Sequence, residues 1–516
     1  MPRKKQPPSL IKICLKAFTD WFLNAWETTN WQELKNFGLE VQRFLSSHIP
    51  SVVADSLISQ MIESFVKRYR RHGYMRTIDF HDYIILPRLN VLDLSNLKYL
   101  IYIMKGCEDV MAIELHSLGR LVKIYFKIHG NRSDLQLCTN HTLELIGKNC
   151  PQLKSLNVSY NKFVSNGGLR CLVPCSENPG CPLLEEIFVY NCHVCEIGVA
   201  NILRSLPNIR LIGYEKMVLC LLELHKQITR YGRPLKERLK LTHVENTSIH
   251  LDRSYMRFDK TVVDVVCTLC PHLYDLKVHV ADEDVPKLEQ FKSLTSLELT
   301  YKIKRPASPG EGTEYFLRVR GAQLGSLKIT CDVLHEKQII MLGENCSNLK
   351  HLYLKCERLE LCHLELEHDD ALSKCKFFKL ESLCFFTGKE PRHVSEFPVR
   401  VVQCILRNTD RLEELMIFVN YSSISDVWMN ELLSSVNTAV LKELMIALPG
   451  AKSNSAVIDL SMSSVNKIIS RAPHLQKLGD LFCWNVEKEE VLMLRDQMKI
   501  LNFDLNIMYH TMPVNW

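Results

Sequence analysis

The apolar positions of this chain fall into a short recurring frame, L-x-x-L-x-L, usually behind a Cys or a Pro. It reads CPQLKSLNVSYN from Cys150, CPLLEEIFVYNC from Cys181, LPNIRLIGY from Leu206 and CPHLYDLKV from Cys270. It continues as FKSLTSLEL from Phe291, GAQLGSLKI from Gly321, CSNLKHLYL from Cys346 and FFKLESLCF from Phe377. TDRLEELMI from Thr409, TAVLKELMI from Thr438 and APHLQKLGDL from Ala472 follow, and LPRLNVLDL from Leu86 and LGRLVKIYF from Leu118 fit upstream. The first Leu recurs at 89, 121, 153 and 184, spacings of 32, 32 and 31; anchors at 324, 349, 380, 412, 441 and 475 stand 25 to 34 apart. Between frames the period becomes helical, as in EIGVANILRSL and EKQIIMLGEN. Each unit therefore predicts one short strand and one helix.

Self-similarity at this period is the signature of a leucine-rich repeat array. The predicted fold class is α/β, a leucine-rich repeat solenoid (horseshoe) preceded by a small N-terminal α-helical domain. The expected boundaries are a disordered basic leader over 1–8, a helical adaptor-binding region over 9–75 and the array over 76–516. Asn161 and Cys192 fall eight residues after their first Leu, a slot whose side chain serves backbone groups in the turn after the strand. Two irregularities stand out. Ile209 to Leu273 is 64 residues, enough for a degenerate unit near LKERLKL. YKIKRPASPGEGTEYF, Tyr301 to Phe316, predicts a mobile loop insertion near 301–316. Within it Ser308 reads as a solvated loop residue or a phosphosite. The ladder Cys together with NGGL resembles the cysteine-containing repeats common in F-box leucine-rich proteins.

Strand side chains alternate between faces, so the third, fifth and seventh frame positions line the concave side. That assigns to it Ser155, Asn157, Ser159, Glu186, Phe188 and Tyr190 in the first half. Asp275, Lys277, His279, His351, Tyr353, Lys355, Glu414, Met416, Phe418, Glu443 and Met445 follow. Aromatic and Met residues anchor bound chains best. The candidate substrate-binding residues are therefore Glu186, Phe188, Tyr190, His351, Tyr353, Met416, Phe418 and Met445. Met416, Phe418 and Met445 form the most apolar patch.

The N-terminal SLIKICLKAF has a different rhythm. Leu10, Ile13, Cys14, Ala17, Phe18, Trp21 and Phe22 follow steps of 3, 1, 3, 1, 3 and 1, a one-faced helix. Pro7 and Pro8 precede it and Ser9 suits an N-cap. Lys12, Lys16 and Asp20 interrupt any signal-peptide core. The stripe could cap the first repeat. Leu10, Cys14 and Phe18 behind a Ser also resemble the BC-box of elongin-binding proteins of the VHL/SOCS-box group. That resemblance implies that the Leu enters a pocket on elongin C and that the small Cys permits close helix approach. Downstream, Ile49, Pro50 and Val53 in HIPSVVADSLISQMI resemble a cullin-2 box. Val53, Leu57, Ile58, Met61, Ile62 and Phe65 then form one helical face. The order of boxes and repeats is similar to that of Zyg/Zer and PRAME-like substrate receptors of cullin-2 RING ubiquitin ligases. The resemblance does not extend to the armadillo domain of the Zyg/Zer group.

That resemblance implies a non-catalytic adaptor. Its expected partners are elongin B/C, cullin-2 and an unknown protein substrate. Adaptor contacts fall on Leu10, Cys14, Phe18, Ile49, Pro50 and Val53. IPSVVADSLISQMIESF also looks like the start of an F-box, which would recruit a Skp adaptor. A plain leucine-rich interaction scaffold is the third reading.

Composition narrows the rest. The 516 residues are 46% hydrophobic and 24% charged, as in ordinary soluble proteins. A net charge of +6 against 58 acidic residues is mixed and argues against nucleic acid as partner. No run of 18 uncharged apolar residues predicts a membrane span. The 20 cysteines lie inside periodic segments, which suggests a reducing cytoplasmic or nuclear setting. PRKK near the start is a solvated tail or a weak nuclear signal. Cys192 and Cys195 have C-x-x-C spacing, with Cys171, Cys175 and Cys181 upstream. Their repeat positions already explain Cys181 and Cys192, so no metal is expected; with no P-loop, G-x-S-x-G, H-E-x-x-H or dinucleotide fingerprint in the sequence, no cofactor and no enzymatic activity are expected.

Overall fold

The computed structural model describes residues 9–29, 31–72, 90–93, 123–125, 138–232, 235, 238–246, 258–301, 307–360, 377–387, 402, 405–406, 409–418, 424–448 and 458–509. Two compact units divide the chain. One is built mainly from Pro7–Ser248 and the other mainly from Tyr274–Trp516.

The first unit opens with three helices, α1 (Leu10–Thr28), α2 (Trp31–His48) and α3 (Ser51–His72). The Ser9 side chain accepts from the Lys12 N–H and caps α1. Pro50 bars the preceding helix from continuing. Its carbonyl takes the first bond of α3, from the Ala54 N–H at 2.9 Å. Ala54, Leu57, Ile58, Met61, Ile62 and Phe65 of α3 are each at most 2% exposed. The helix packs on α1 and on the strand β1 (Val91–Asp93). The Asp55 carboxylate accepts from the backbone N–H groups of Asn90 and Val91 and from the Asn90 side chain, which fixes α3 to that strand. Arg68 of α3 donates to Asn24 at 2.6 Å and to Asp20 at 3.3 Å on α1. Phe22 of α1 stacks on Phe37 of α2, ring centres 5.7 Å apart.

After β1 come β2 (Lys123–Tyr125), β3 (Ser155–Asn157), β4 (Glu186–Phe188) and β5 (Leu211–Gly213), paired in sequence order and all parallel. Helices α4 (Asn140–Asn149), α5 (Asn166–Arg170), α6 (Glu196–Ser205) and α7 (Met217–Tyr231) alternate with them. The degenerate unit supplies β6 (His243–Asn246), just beyond LKERLKL. Helix α8 (Lys260–Leu269) follows in sequence.

In the second unit β7 (Asp275–Val280), β8 (Ser296–Tyr301), α9 (Glu311–Arg320), β9 (Ser326–His335), α10 (Glu336–Asn345) and β10 (His351–Glu360) come first. Then come β11 (Ser382–Thr387), β12 (Glu414–Phe418), α11 (Asp426–Ser435) and β13 (Glu443–Ala447). The unit ends with α12 (Met462–Arg471), β14 (Lys477–Gly479), α13 (Lys488–Ile500) and β15 (Asn506–Ile507). Strands β7 to β15 pair in order, again parallel. This is the leucine-rich repeat architecture. From Leu153 to Leu478, the described first and fourth frame positions, such as Leu156, Leu276, Leu352 and Leu444, are at most 2% exposed.

Asn161 occupies its slot as the pattern requires. Its side chain donates to the carbonyls of Val158 and Ser159 and accepts from the Cys138 N–H at 3.1 Å. In the next repeat Cys192 fills the equivalent slot, its thiol 3.2 Å from the Val158 carbonyl.

The loop expected over 301–316 is corrected. Tyr301 ends a strand and Glu311–Phe316 belongs to α9; residues 302–306 lie outside the described set. The cause is Asp282. Its carboxylate accepts from the N–H groups of Gly310, Gly312 and Thr313 and from the Thr313 hydroxyl, at 2.6 to 3.0 Å. An anion satisfies the orphan donors of a helix start. A Cβ at Gly312 would meet the Asp282 carbonyl oxygen at 2.1 Å. That glycine therefore marks a close approach of chains, which composition alone reads as looseness. Ser308 is tied in as well, its hydroxyl donating to the Pro309 carbonyl at 2.9 Å.

Candidate interaction surfaces

Helix α1 is apolar on two sides. At about 100° per residue, Leu10, Cys14, Ala17 and Trp21 fall within roughly 60° of one another. Thr19, Phe22, Leu23 and Trp26 fall on nearly the opposite side by the same roughly 100° step, and these four are the buried ones. The first side faces solvent. Leu10 is 75% exposed and Trp21 53%, Cys14 is exposed, and Ile13 at the edge of this side is 49% exposed. Phe18 is half-buried, its ring 5.4 Å from that of Trp21, which in turn lies 6.0 Å from Phe37. The expected single stripe is thus two faces, with Phe22 on the inward one. Among the described residues it is α3 that packs on the first strand of the array, β1. Ile49 and Val53 are half-buried and Pro50 is exposed. Phe44, 47% exposed, stacks on His48 at 4.9 Å beside them.

On the sheet of the second unit the alternation holds. His351 is exposed, and Tyr353, Lys355, Glu414, Met416, Glu443 and Met445 are half-buried, while the leucines between them are buried. Register places Lys277, Glu298, Lys328, Tyr353, Cys384, Met416 and Met445 in one row across β7 to β13. The Lys328 ammonium lies 2.9 Å from Glu298 and 4.7 Å from the centre of the Tyr353 ring. The Lys355 ammonium lies 4.8 Å from the centre of the Phe386 ring. Burial pushes the Cys384 thiol up to about 12, against the pull of Lys328 and Lys355. Ser382 donates to Glu414 at 2.9 Å, and Lys477 pairs with Glu443 at 2.5 Å. Phe418 is the correction here. It shares the row of Lys355 and Phe386, but at 8% exposure with its ring 6.1 Å from Phe386 it is covered. His279, 5% exposed, is covered as well. Lys328, Cys384 and Phe386 were missed as lining residues, although the same frame rule applied to GAQLGSLKI and FFKLESLCF finds all three.

The first unit uses its face differently. Ser155 and Ser159 are buried, and Ser155 donates to Glu186 at 2.8 Å. The rings of Phe188 and Tyr190 lie over Gly213, where a Cβ would meet them at 2.4 and 2.6 Å. The Tyr190 hydroxyl donates to Glu245 at 2.6 Å, and burial with Glu245 holds the phenol well above its ordinary pKa. Both rings are half-buried.

The cysteines do structural work. Burial raises Cys150, Cys181 and Cys192 to about 12. Cys195 alone among the described thiols with a resolved shift is lowered. Burial acts to raise it and is outweighed by the Asn166 side chain and the N–H groups of Gly198 and Ile197, at the start of α6. Among the described residues no group of His, Cys, Asp and Glu is arranged to hold a metal ion.

No family model matches the chain, and no curated protein does. Among solved structures it is similar to a chain of the Rad7 and Elc1 complex in yeast, 14% identical, TM-score 0.43, covering 94% of this chain and 96% of that one. It is also similar to an internalin from Listeria monocytogenes, 12% identical, TM-score 0.34, covering 80% of this chain and 95% of that one. A leucine-rich repeat protein of Leptospira interrogans is 13% identical, TM-score 0.34, covering 82% of this chain and 91% of that one. None of these likenesses carries an argument about what this chain binds. The class that fold and surfaces define is a leucine-rich repeat protein with a three-helix N-terminal segment.

Proposed function

We propose that this chain is the substrate-recognition subunit of a cullin-RING E3 ubiquitin ligase. It binds elongin C of an elongin B/C–cullin-2 assembly through α1 and a target protein through the open sheet face. One observation carries the reading. Helix α1 keeps Leu10, Ile13, Cys14 and Trp21 in water on the side opposite its packed face. Lys12, Lys16, Asp20, Asn24 and Glu27 are the charged and amide residues of α1, and each exposed apolar side chain is a place where burial by a partner is worth roughly 1.5–3 kcal/mol. The mechanism is positional. The adaptor holds a ubiquitin-conjugating enzyme near the bound target and raises its effective concentration, with no chemistry by this chain. The setting would be cytoplasmic or nuclear.

The Skp reading draws on α3, whose apolar face is already buried inside the chain and leaves less to offer an adaptor. The test is co-purification with elongin B/C, wild type against Leu10→Ser plus Cys14→Phe. Binding by the wild type and loss in the variant is expected. A wild type that captures no elongin overturns the reading.

A further inference from the structure

The sheet face of the second unit is graded in chemistry. Across β7 to β10 it presents Lys277, Lys328 and Lys355 against Asp275 and Glu298. Across β11 to β13 its floor turns to Cys384, Met416 and Met445. A trough of about 280 Å³ runs from Asp275 and Lys277 past Lys328 and Tyr353 to Cys384 and Met416, flanked by the small side chains of Ser296, Ser326 and Ser382. The carboxylates at the apolar end are already engaged, Glu414 by Ser382 and Glu443 by Lys477. The cations at the polar end lie across rings. Lys328, paired with Glu298 at 2.9 Å, also rests over Tyr353, and Lys355 rests over Phe386, so two positive charges lean on rings of the same face.

We propose that this face takes an extended peptide in which an acidic side chain and a large apolar side chain stand about three to four residues apart, by the strand and peptide spacings of a sheet. The acidic group meets Lys355 and the Lys328 ammonium, which it shares with Glu298, and the apolar one lies on Met416 and Met445. The interval follows from geometry. Lys355 is on β10, Met416 on β12 and Met445 on β13. Two to three strand spacings are roughly 10–14 Å, and an extended chain covers about 3.4 Å per residue. The Ser296 and Ser326 hydroxyls along the trough supply polar partners for the peptide main chain, and a carboxylate on an ammonium held against an aromatic ring makes a charge-assisted bond. This deepens the proposed function and rests on its target-binding half.

The test uses the full chain and a random twelve-residue peptide library displayed on phage. Panning is expected to enrich sequences with Asp or Glu three or four positions from Phe, Leu, Ile or Met. A labelled peptide of that kind should bind at least tenfold more weakly to Lys355→Glu and to Met416→Asp, with melting curves showing both variants folded. Replacing the peptide's acid by Lys should restore binding to Lys355→Glu, which misfolding cannot imitate. No enrichment by the folded wild type, enrichment without an acid, or binding unchanged in Lys355→Glu overturns the proposal. Elongin capture, read in parallel on Lys355→Glu, separates the two readings. Capture without peptide binding sinks the peptide class alone, and peptide binding without capture sinks the ligase alone.

Discussion

Helices α1 and α3 carry apolar stripes of the same period and meet opposite fates. On α3 the stripe from Ala54 to Phe65 is closed off by α1 and β1. On α1 the stripe from Leu10 to Trp21 stays in water, because the side that packs on its neighbours is the other one, with Phe22, Leu23 and Trp26. Periodicity says that a face prefers burial; it does not say against what. The difference lies in the rest of the helix. The outward side of α3 carries polar residues such as Gln60 and Glu63, so it has one face to bury. Helix α1 has two, and α2 and α3 supply cover for one.

The sharpest way to break this comparison is to empty each stripe. Phe65→Ala removes a ring that is 0% exposed. It should cost about 3–5 kcal/mol, seen as an earlier denaturation midpoint for the first unit. If Phe65→Ala melts like the wild type, α3 is not the buried partner. Asp55→Ala should cost less, about 1.5–3 kcal/mol, because hydrogen bonds to a charged acceptor are lost and the N–H groups of Asn90 and Val91 lose their partner. Its mark is local. Hydrogen exchange should rise at Asn90 and Val91 while the second unit keeps its protection.

Most of the repeat array was legible because its signal is redundant. Each L-x-x-L-x-L frame buries its leucines and points its third and fifth positions outward, so Tyr353, Met416 and Met445 could be placed by counting. Features set by one long-range partner were not legible. Asp282 converts a Pro/Gly-rich stretch into a capped helix from nearly thirty residues upstream, and nothing local in Gly310 or Gly312 announces it. Phe418 obeyed the frame and is still covered, since the frame fixes direction and not what lies above. The two faces of α1 were hidden for a related reason. Phe18 lies between the two, and a stripe drawn through it to Phe22 merges what the fold separates. The lining residues Lys328, Cys384 and Phe386 needed only the same counting applied to two more frames.

A matched pair of substitutions sharpens the contrast on α1 itself. Trp26→Ala, on the inward side, should destabilise by about 3–5 kcal/mol. Trp21→Ala, five residues away on the outward side and 53% exposed, should shift stability by no more than about 1 kcal/mol, near the range of surface changes. It should nevertheless weaken elongin B/C capture. Equal melting losses for the two would mean that Trp21 is also packed and that α1 has no spare face.

The smallest expected effect is the most direct reading of that face. Cys14 is an exposed thiol, whereas Cys138, Cys181, Cys270 and Cys346 are buried in the repeats. Brief treatment of the folded chain with a maleimide should therefore modify Cys14 ahead of those four, as mass spectrometry of the digested protein would show. Leu10→Ser should leave both the melting curve and this rate nearly unchanged, within about 0.5 kcal/mol for stability, because Leu10 contributes little to packing at 75% exposure. Elongin B/C bound to the wild type should slow the Cys14 reaction, and the protection should vanish in Leu10→Ser. Slow modification of Cys14 in the isolated chain would mean that the chain itself covers this side of α1. Fast modification unaffected by bound elongin would mean that the adaptor docks elsewhere, and either result would dissolve the contrast between the two helices.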